Sequence, residues 1–87
     1  MANYRKRPAI VQAEQFWPEK EPWPAGVERG PDDILTGGRT YWIGTLEGPF
    51  VVAPGDWIIM GTAHERYPCK PDIFALTYEQ AAPWIAS

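Results

Sequence analysis

The strongest pattern in the chain runs from residue 40 to residue 69. Residues 40–46 alternate, placing Tyr41, Ile43 and Thr45 on one face and Trp42 and Leu46 on the other. A period of two marks a half-buried strand. Glu47-Gly48 signals a turn, and residues 49–53 read as a second short strand. Pro54-Gly55 fits the central positions of a type II turn, where Pro sets φ and Gly accepts a positive φ. Residues 56–61 read as a third strand. Its Trp57-Ile58-Ile59-Met60 run is apolar on both faces, which predicts a central strand covered on both sides. A turn at residues 62–64 leads to a fourth strand, residues 65–69, which Pro68 confines to an edge or a bulge. Four short strands with tight turns predict an antiparallel meander.

The flanks are less regular. Pro71 suits the first position of a helix, and Asp72 in that turn is favoured by the helix dipole. Residues 72–76 therefore predict one or two helical turns. Residues 77–80 fit a last short strand, stopped by Pro83. Trp84 and Ile85 form an apolar tail expected to dock or to pair between subunits. Near the start, residues 9–17 read as a strand bounded by Pro8 and Pro18. Val11, Ala13 and Trp17 fall on one face, Gln12 and Glu14 on the other. This strand is expected to pair with the C-terminal segment. Residues 18–38 hold Pro18, Pro22, Pro24, Pro31, Gly26, Gly30, Gly37 and Gly38, and no period survives there. They predict a long loop with a short turn near residues 32–35. Such a loop is either functional or a tolerated surface insertion. Trp23 within it either pins the loop to the core or lines a site. The expected fold class is mainly β (α+β): a small antiparallel sheet or open barrel built on a four-strand meander, with one short helix near residue 72.

Size narrows the picture further. With 87 residues there is room for one core, so residues 1–87 are expected to form a single domain. Such a domain buries only about 60–65% of its unfolded surface. Five Trp, four Tyr and three Phe supply large rings, each burying about 150–250 Å². Most are expected to fill the core, and some to sit at a binding surface. The formal net charge is −3, which disfavours general affinity for a nucleic-acid backbone. Arg5, Lys6 and Arg7 form a short basic run, and residues 14–33 are acidic. The lone cysteine, Cys69, allows neither an intrachain disulfide nor a thiolate zinc site. No apolar run reaches the 18 or so residues that a membrane helix needs. No secretory signal is legible, so a cytoplasmic setting is expected.

Several pieces in order carry a resemblance. They are Tyr4-Arg5-Lys6-Arg7-Pro8 leading into Ile10-Val11-Gln12-Ala13-Glu14-Gln15-Phe16, then Thr45-Leu46-Glu47-Gly48, then Pro54-Gly55-Asp56-Trp57-Ile58-Ile59. Tyr67-Pro68-Cys69-Lys70-Pro71-Asp72-Ile73-Phe74 and Thr77-Tyr78-Glu79 complete the set. In this order they resemble short hypothetical proteins of tailed phages and prophages. The resemblance covers nearly all the chain except residues 18–38, and the C-terminal Trp84-Ile85 departs from it. It implies a host-cytoplasm setting and a role in modulating the host. One strategy that fits this setting is sequestration of the nucleotide signals of bacterial immunity.

Catalytic apparatus is not legible. His64 and Cys69 are five positions apart, which points their side chains to opposite faces of a regular strand. One His, one Cys and scattered carboxylates are a poor zinc set. No phosphate loop of Walker or Rossmann spacing occurs. Non-catalytic binding without a cofactor is therefore expected. A small anionic, ring-containing ligand needs guanidinium or ammonium groups and an aromatic face. Arg66, Tyr67 and Lys70 lie together around the fourth strand. Arg39 and Trp42 open the first, and Arg5 precedes the N-terminal strand. Glu14 and Gln15 are suited to reading a base or ribose edge. Asp56, after Pro54-Gly55, is expected to accept backbone hydrogen bonds in the turn. A homo-oligomer is expected, because so small a domain hardly encloses a ligand alone. The alternatives are a protein–protein inhibitor or adaptor acting on a host protein, and a minor virion or assembly component.

Overall fold

The computed structural model describes residues 1–4 and 9–80, so Arg5, Trp84 and Ile85 lie outside the described residues. The elements are β1 (Gln12–Gln15), β2 (Val27–Arg29), β3 (Tyr41–Thr45), β4 (Gly48–Val52), β5 (Trp57–Met60), β6 (Arg66–Cys69) and α1 (Pro71–Thr77). The strands form two three-stranded antiparallel sheets, ordered β1-β5-β6 and β2-β3-β4. The fold is mainly β with one short helix, and the sheets do not close into a barrel.

All four strands expected between residues 40 and 69 form, but they do not make one meander. β3 and β4 pair as a hairpin; β5 then pairs with β1 and β6 instead of β4. The cause is the Pro54-Gly55 turn. Gly55 has φ 92, and the Asp56 N–H donates to the Ala53 carbonyl at 3.0 Å. A turn of this kind lacks the twist of a hairpin turn and splays its strands. The chain therefore leaves one sheet and enters the other.

β1 is shorter than residues 9–17, and among the described residues it pairs with β5, not with residues 77–80. Phe16 extends the pairing beyond the strand. Its N–H donates to the Asp56 carbonyl, and its carbonyl accepts from the Gly55 N–H, both at 2.8 Å. β5 is thus a central strand with Ile58 and Ile59 buried, as its apolar run implies. β6 is an edge strand, where the missing N–H of Pro68 is tolerated.

Residues 18–38 are not structureless, since β2 forms within them and pairs with β3. The core comprises Phe16, Val27, Tyr41, Ile43, Val52 and Ile58, with Trp23 packed against it. The Trp23 ring meets Phe16 and Tyr41 edge-on at centroid distances of 5.6 and 5.4 Å. Its indole N–H donates to the Pro18 carbonyl at 3.1 Å. Trp23 thus pins the loop to the core. At the other end, Thr77 belongs to α1, and residues 78–80 carry no strand. Pro71 opens the helix, and the Tyr78 N–H closes it on the Phe74 carbonyl. Trp57 stacks on Phe74 at 4.1 Å, and Phe74 on Tyr78 at 5.1 Å. These rings hold α1 against β5. No helix among the described residues is long and apolar enough to cross a membrane.

Candidate functional site

Opposed residues in an antiparallel sheet share a face, and so do alternate residues along each strand. The register of β1, β5 and β6 puts Gln12, Met60 and Arg66 in one cross-strand row. Glu14, Ile58 and Pro68 make the next row on the same face. The opposite face carries Gln15, Trp57, Ile59, Tyr67 and Cys69, and α1 lies on it through Trp57 and Phe74.

Arg66 stands where two grooves meet. The polar groove has a volume of about 380 Å³; Gln12, Glu14, Met60 and Arg66 line it, with Pro24 and Ala25 from the loop before β2. The apolar groove has a volume of about 290 Å³ and runs along β6, facing the β3–β4 hairpin. Leu46, Phe50 and Pro68 supply its apolar walls, and Glu47 and Glu65 also line it.

Local structure positions the Arg66 side chain. Its stem passes Gly26, where an added Cβ would lie 3.3 Å from Arg66 Cδ. Gly26 also has φ 95, so glycine there relieves both backbone strain and crowding. The ion pairs among the described residues are Arg29–Asp32 and Lys70–Asp56. Arg66 thus has no carboxylate partner among them. Gln12 and Glu14 likewise have no side-chain hydrogen bond among the described residues. A guanidinium in this state is a planar fork of donors suited to phosphate or carboxylate. Glu14 can accept, and Gln12 can both donate and accept. Met60 offers a soft apolar surface for a ring.

The candidate residues separate accordingly. Arg66 and Glu14 meet in the polar groove, while Tyr67 lines the apolar one. Gln15 faces the other way, and its Nε2 donates to the Gly55 carbonyl at 3.0 Å. Lys70 is also turned away from the grooves. Its Nζ donates to both carboxylate oxygens of Asp56, at 3.0 and 3.2 Å. Asp56 is only 2% exposed and also accepts from the Ala53 N–H at 2.9 Å, which locks the turn. Arg39 and Trp42 line neither groove. Arg39 is exposed ahead of β3; Trp42 lies over Gly30 and donates its N–H to Thr40 Oγ1 at 3.2 Å. Arg5 lies outside the described residues. Sequence reasoning passes over Gln12 and Met60. The signal for Gln12 is parity, since it shares the face of Glu14 and the adjacent Gln15 does not.

The remaining reactive groups are quiet. His64 is exposed in its turn. The Cys69 thiol is pushed up first by burial and then by the Asp56 and Asp72 carboxylates. It stays protonated and weakly nucleophilic at neutral pH. The Tyr67 hydroxyl lies 3.3 Å from that of Tyr78. This hydrogen bond, then burial, then the neighbouring Tyr78, Glu65 and Cys69 push the Tyr67 phenol up to about 12. Compared with known proteins, the chain matches no family model, no curated protein and no solved structure.

Proposed function

We propose that this chain is a phage-encoded, non-catalytic binding domain that sequesters a nucleotide-derived signal of bacterial immunity in the host cytoplasm. The observation that carries the reading is Arg66. The residue is half-buried, its guanidinium has no carboxylate partner among the described residues, and it lines the polar groove beside Gln12 and Glu14. The groove volume, about 380 Å³, lies within the range of about 300–1,000 Å³ usual for small-molecule sites. In this reading Arg66 takes a phosphate through paired N–H donors. Glu14 accepts from a base N–H or a ribose hydroxyl, Gln12 reads an adjacent edge, and Met60 lies under the ring. One guanidinium beside one carboxylate favours a ligand of low net charge presenting a single phosphate to the site.

The test is chromatographic. A panel of cyclic oligonucleotides and ADP-ribose-derived signals is mixed with the protein and resolved before and after heat denaturation. The expected result is one nucleotide that disappears on mixing and returns intact on heating. Arg66→Ala should then weaken retention about 10–100-fold, because hydrogen bonds to a charged group contribute about 1.5–3 kcal/mol. A new product peak would replace binding with catalysis. A panel that stays wholly free would reject the reading.

A further inference from the structure

The hydrogen-bonding groups of the polar groove are arranged asymmetrically. Gln12 and Glu14 stand two positions apart on one face of β1, and Arg66 lies beyond Met60, two strands away. Neighbouring strands are spaced about 4.8 Å, which sets the Arg66 backbone about 10 Å from that of Gln12. Met60, half-buried on the strand between them, is an apolar floor. Pro24, Ala25 and Ile58 add to the apolar lining. A fork of donors thus stands at one side of the groove, and a carboxylate beside an amide at the other. Glu14 has no ion pair and no side-chain hydrogen bond among the described residues, so both of its oxygens are open to a ligand.

A carboxylate in this state accepts from two parallel N–H donors. The bases differ in whether they supply them. Guanine presents an exocyclic amino group and a ring N–H side by side, followed by a carbonyl oxygen. Adenine and cytosine each present one amino group beside a ring nitrogen lone pair, and uracil flanks one N–H with two carbonyls. We infer that Glu14 makes the polar groove selective for guanine, its carboxylate taking the amino group and ring N–H while the Gln12 amide donates to the carbonyl oxygen. The inference rests on the reading of this groove as a nucleotide site and names the base that the site prefers. The order of groups along β1, Glu14 then Gln12, matches the donor, donor, acceptor order of the guanine edge. Adenine in the same place sets its ring nitrogen lone pair against a carboxylate oxygen, so it is repelled as well as less strongly held. Arg66 takes the phosphate whichever base is present, and so sets affinity without choosing the base.

The test is an amide chemical-shift titration with the cyclic monophosphates of guanosine, inosine and adenosine, each to about 5 mM to reach weak binding. The guanosine compound should bind about 10–100-fold more tightly than the adenosine compound, the size expected of a hydrogen bond to a charged group. Inosine keeps the ring N–H and lacks the amino group, and should fall between them. Glu14→Gln should reverse the order, because an amide pairs one acceptor and one donor with the adenine amino group and ring nitrogen. Arg66→Ala should weaken all three by a similar factor. Glu14 is exposed, so its replacement leaves the fold intact, and the dispersion of the amide spectrum checks this. Equal affinity for guanosine and adenosine compounds would mean that the carboxylate reads the ribose; it overturns the inference and leaves the site standing. A Glu14→Gln variant that keeps the guanine preference also overturns it. Absence of any shift with all three overturns it as well, and the retention panel, with its dependence on Arg66, then decides separately whether the nucleotide site stands.

Discussion

On the helix side of the β1-β5-β6 sheet, Gln15 donates to Gly55, Tyr67 meets Tyr78, and Lys70, just beyond the strand, meets Asp56. On the groove side, Gln12, Glu14 and Arg66 have no such partner among the described residues. The strands are the same and only the parity differs. A polar group with an internal partner rigidifies the fold. One without a partner, on a face where Arg66 is half-buried and Gln12 and Glu14 are exposed, still has its full hydrogen-bonding capacity to offer a ligand. The comparison separates residues that hold the fold from residues available for recognition, and substitutions on the two faces should differ accordingly.

The largest effect is expected on the helix side. Trp57→Ala removes the ring stacked 4.1 Å from Phe74 and loosens α1 from the sheet. A half-buried Trp lost in this way should cost about 3 kcal/mol, read from the shift in the urea midpoint. Arg66→Ala, on the other face, should cost under about 1 kcal/mol, since it breaks no ion pair of the described residues and loses only stem packing. Equal costs for the two variants would break the contrast between the faces.

Asp56→Ala should come next, at about 2 kcal/mol. It leaves the Ala53 N–H without its acceptor and Lys70 without its carboxylate. Asp56→Asn sharpens the point, because the amide oxygen can still accept from Ala53. If the turn acceptor matters most, Asn recovers most of the loss by the same denaturation measurement. If Asn and Ala are equally costly, the Lys70 ion pair carries the effect.

How much of this division is legible in the sequence depends on distance along the chain. The Pro54-Gly55 turn, the β3–β4 hairpin and the helix opened by Pro71 follow from local chemistry, and all form. Pro68 narrows β6 to an edge or a bulge, and the structure places it at the edge. Strand partners do not follow, because a period of two gives a face and no register. β1 therefore cannot be assigned to β5 from its own residues. β2 has three residues in a Pro- and Gly-rich stretch, too short for any period to show. For the site, parity places Glu14 and Gln12 together, and Arg66 on the face opposite Tyr67. It does not reveal that Lys70 meets Asp56, fourteen positions away, or that Gln15 reaches Gly55. Those contacts appear only once the turn between the sheets has brought Asp56 beneath the end of β6.

The smallest effect tests the helix-side face at the Tyr67–Tyr78 hydroxyl pair. Tyr67 titrates near 12 when folded and near 10 in an unfolded chain. Its folded pKa is raised, so its contribution is complete below about pH 10. Above that the unfolded state loses the proton first, and stability falls as pH rises toward 12. Tyr78→Phe removes the hydroxyl that contributes most to the shift and keeps the ring that stacks on Phe74. Neutral-pH stability should change by under about 1 kcal/mol. The Tyr67 titration should move down toward 10, and the alkaline loss of stability should shrink with it. Tyrosinate absorbance, assigned with a Tyr67→Phe reference, follows the titration directly. If Tyr67 in Tyr78→Phe still titrates near 12, burial holds the phenol neutral and the hydroxyl pair adds nothing. If it returns toward 10, this half-buried hydroxyl too depends on an internal partner, as Gln15 and Lys70 do.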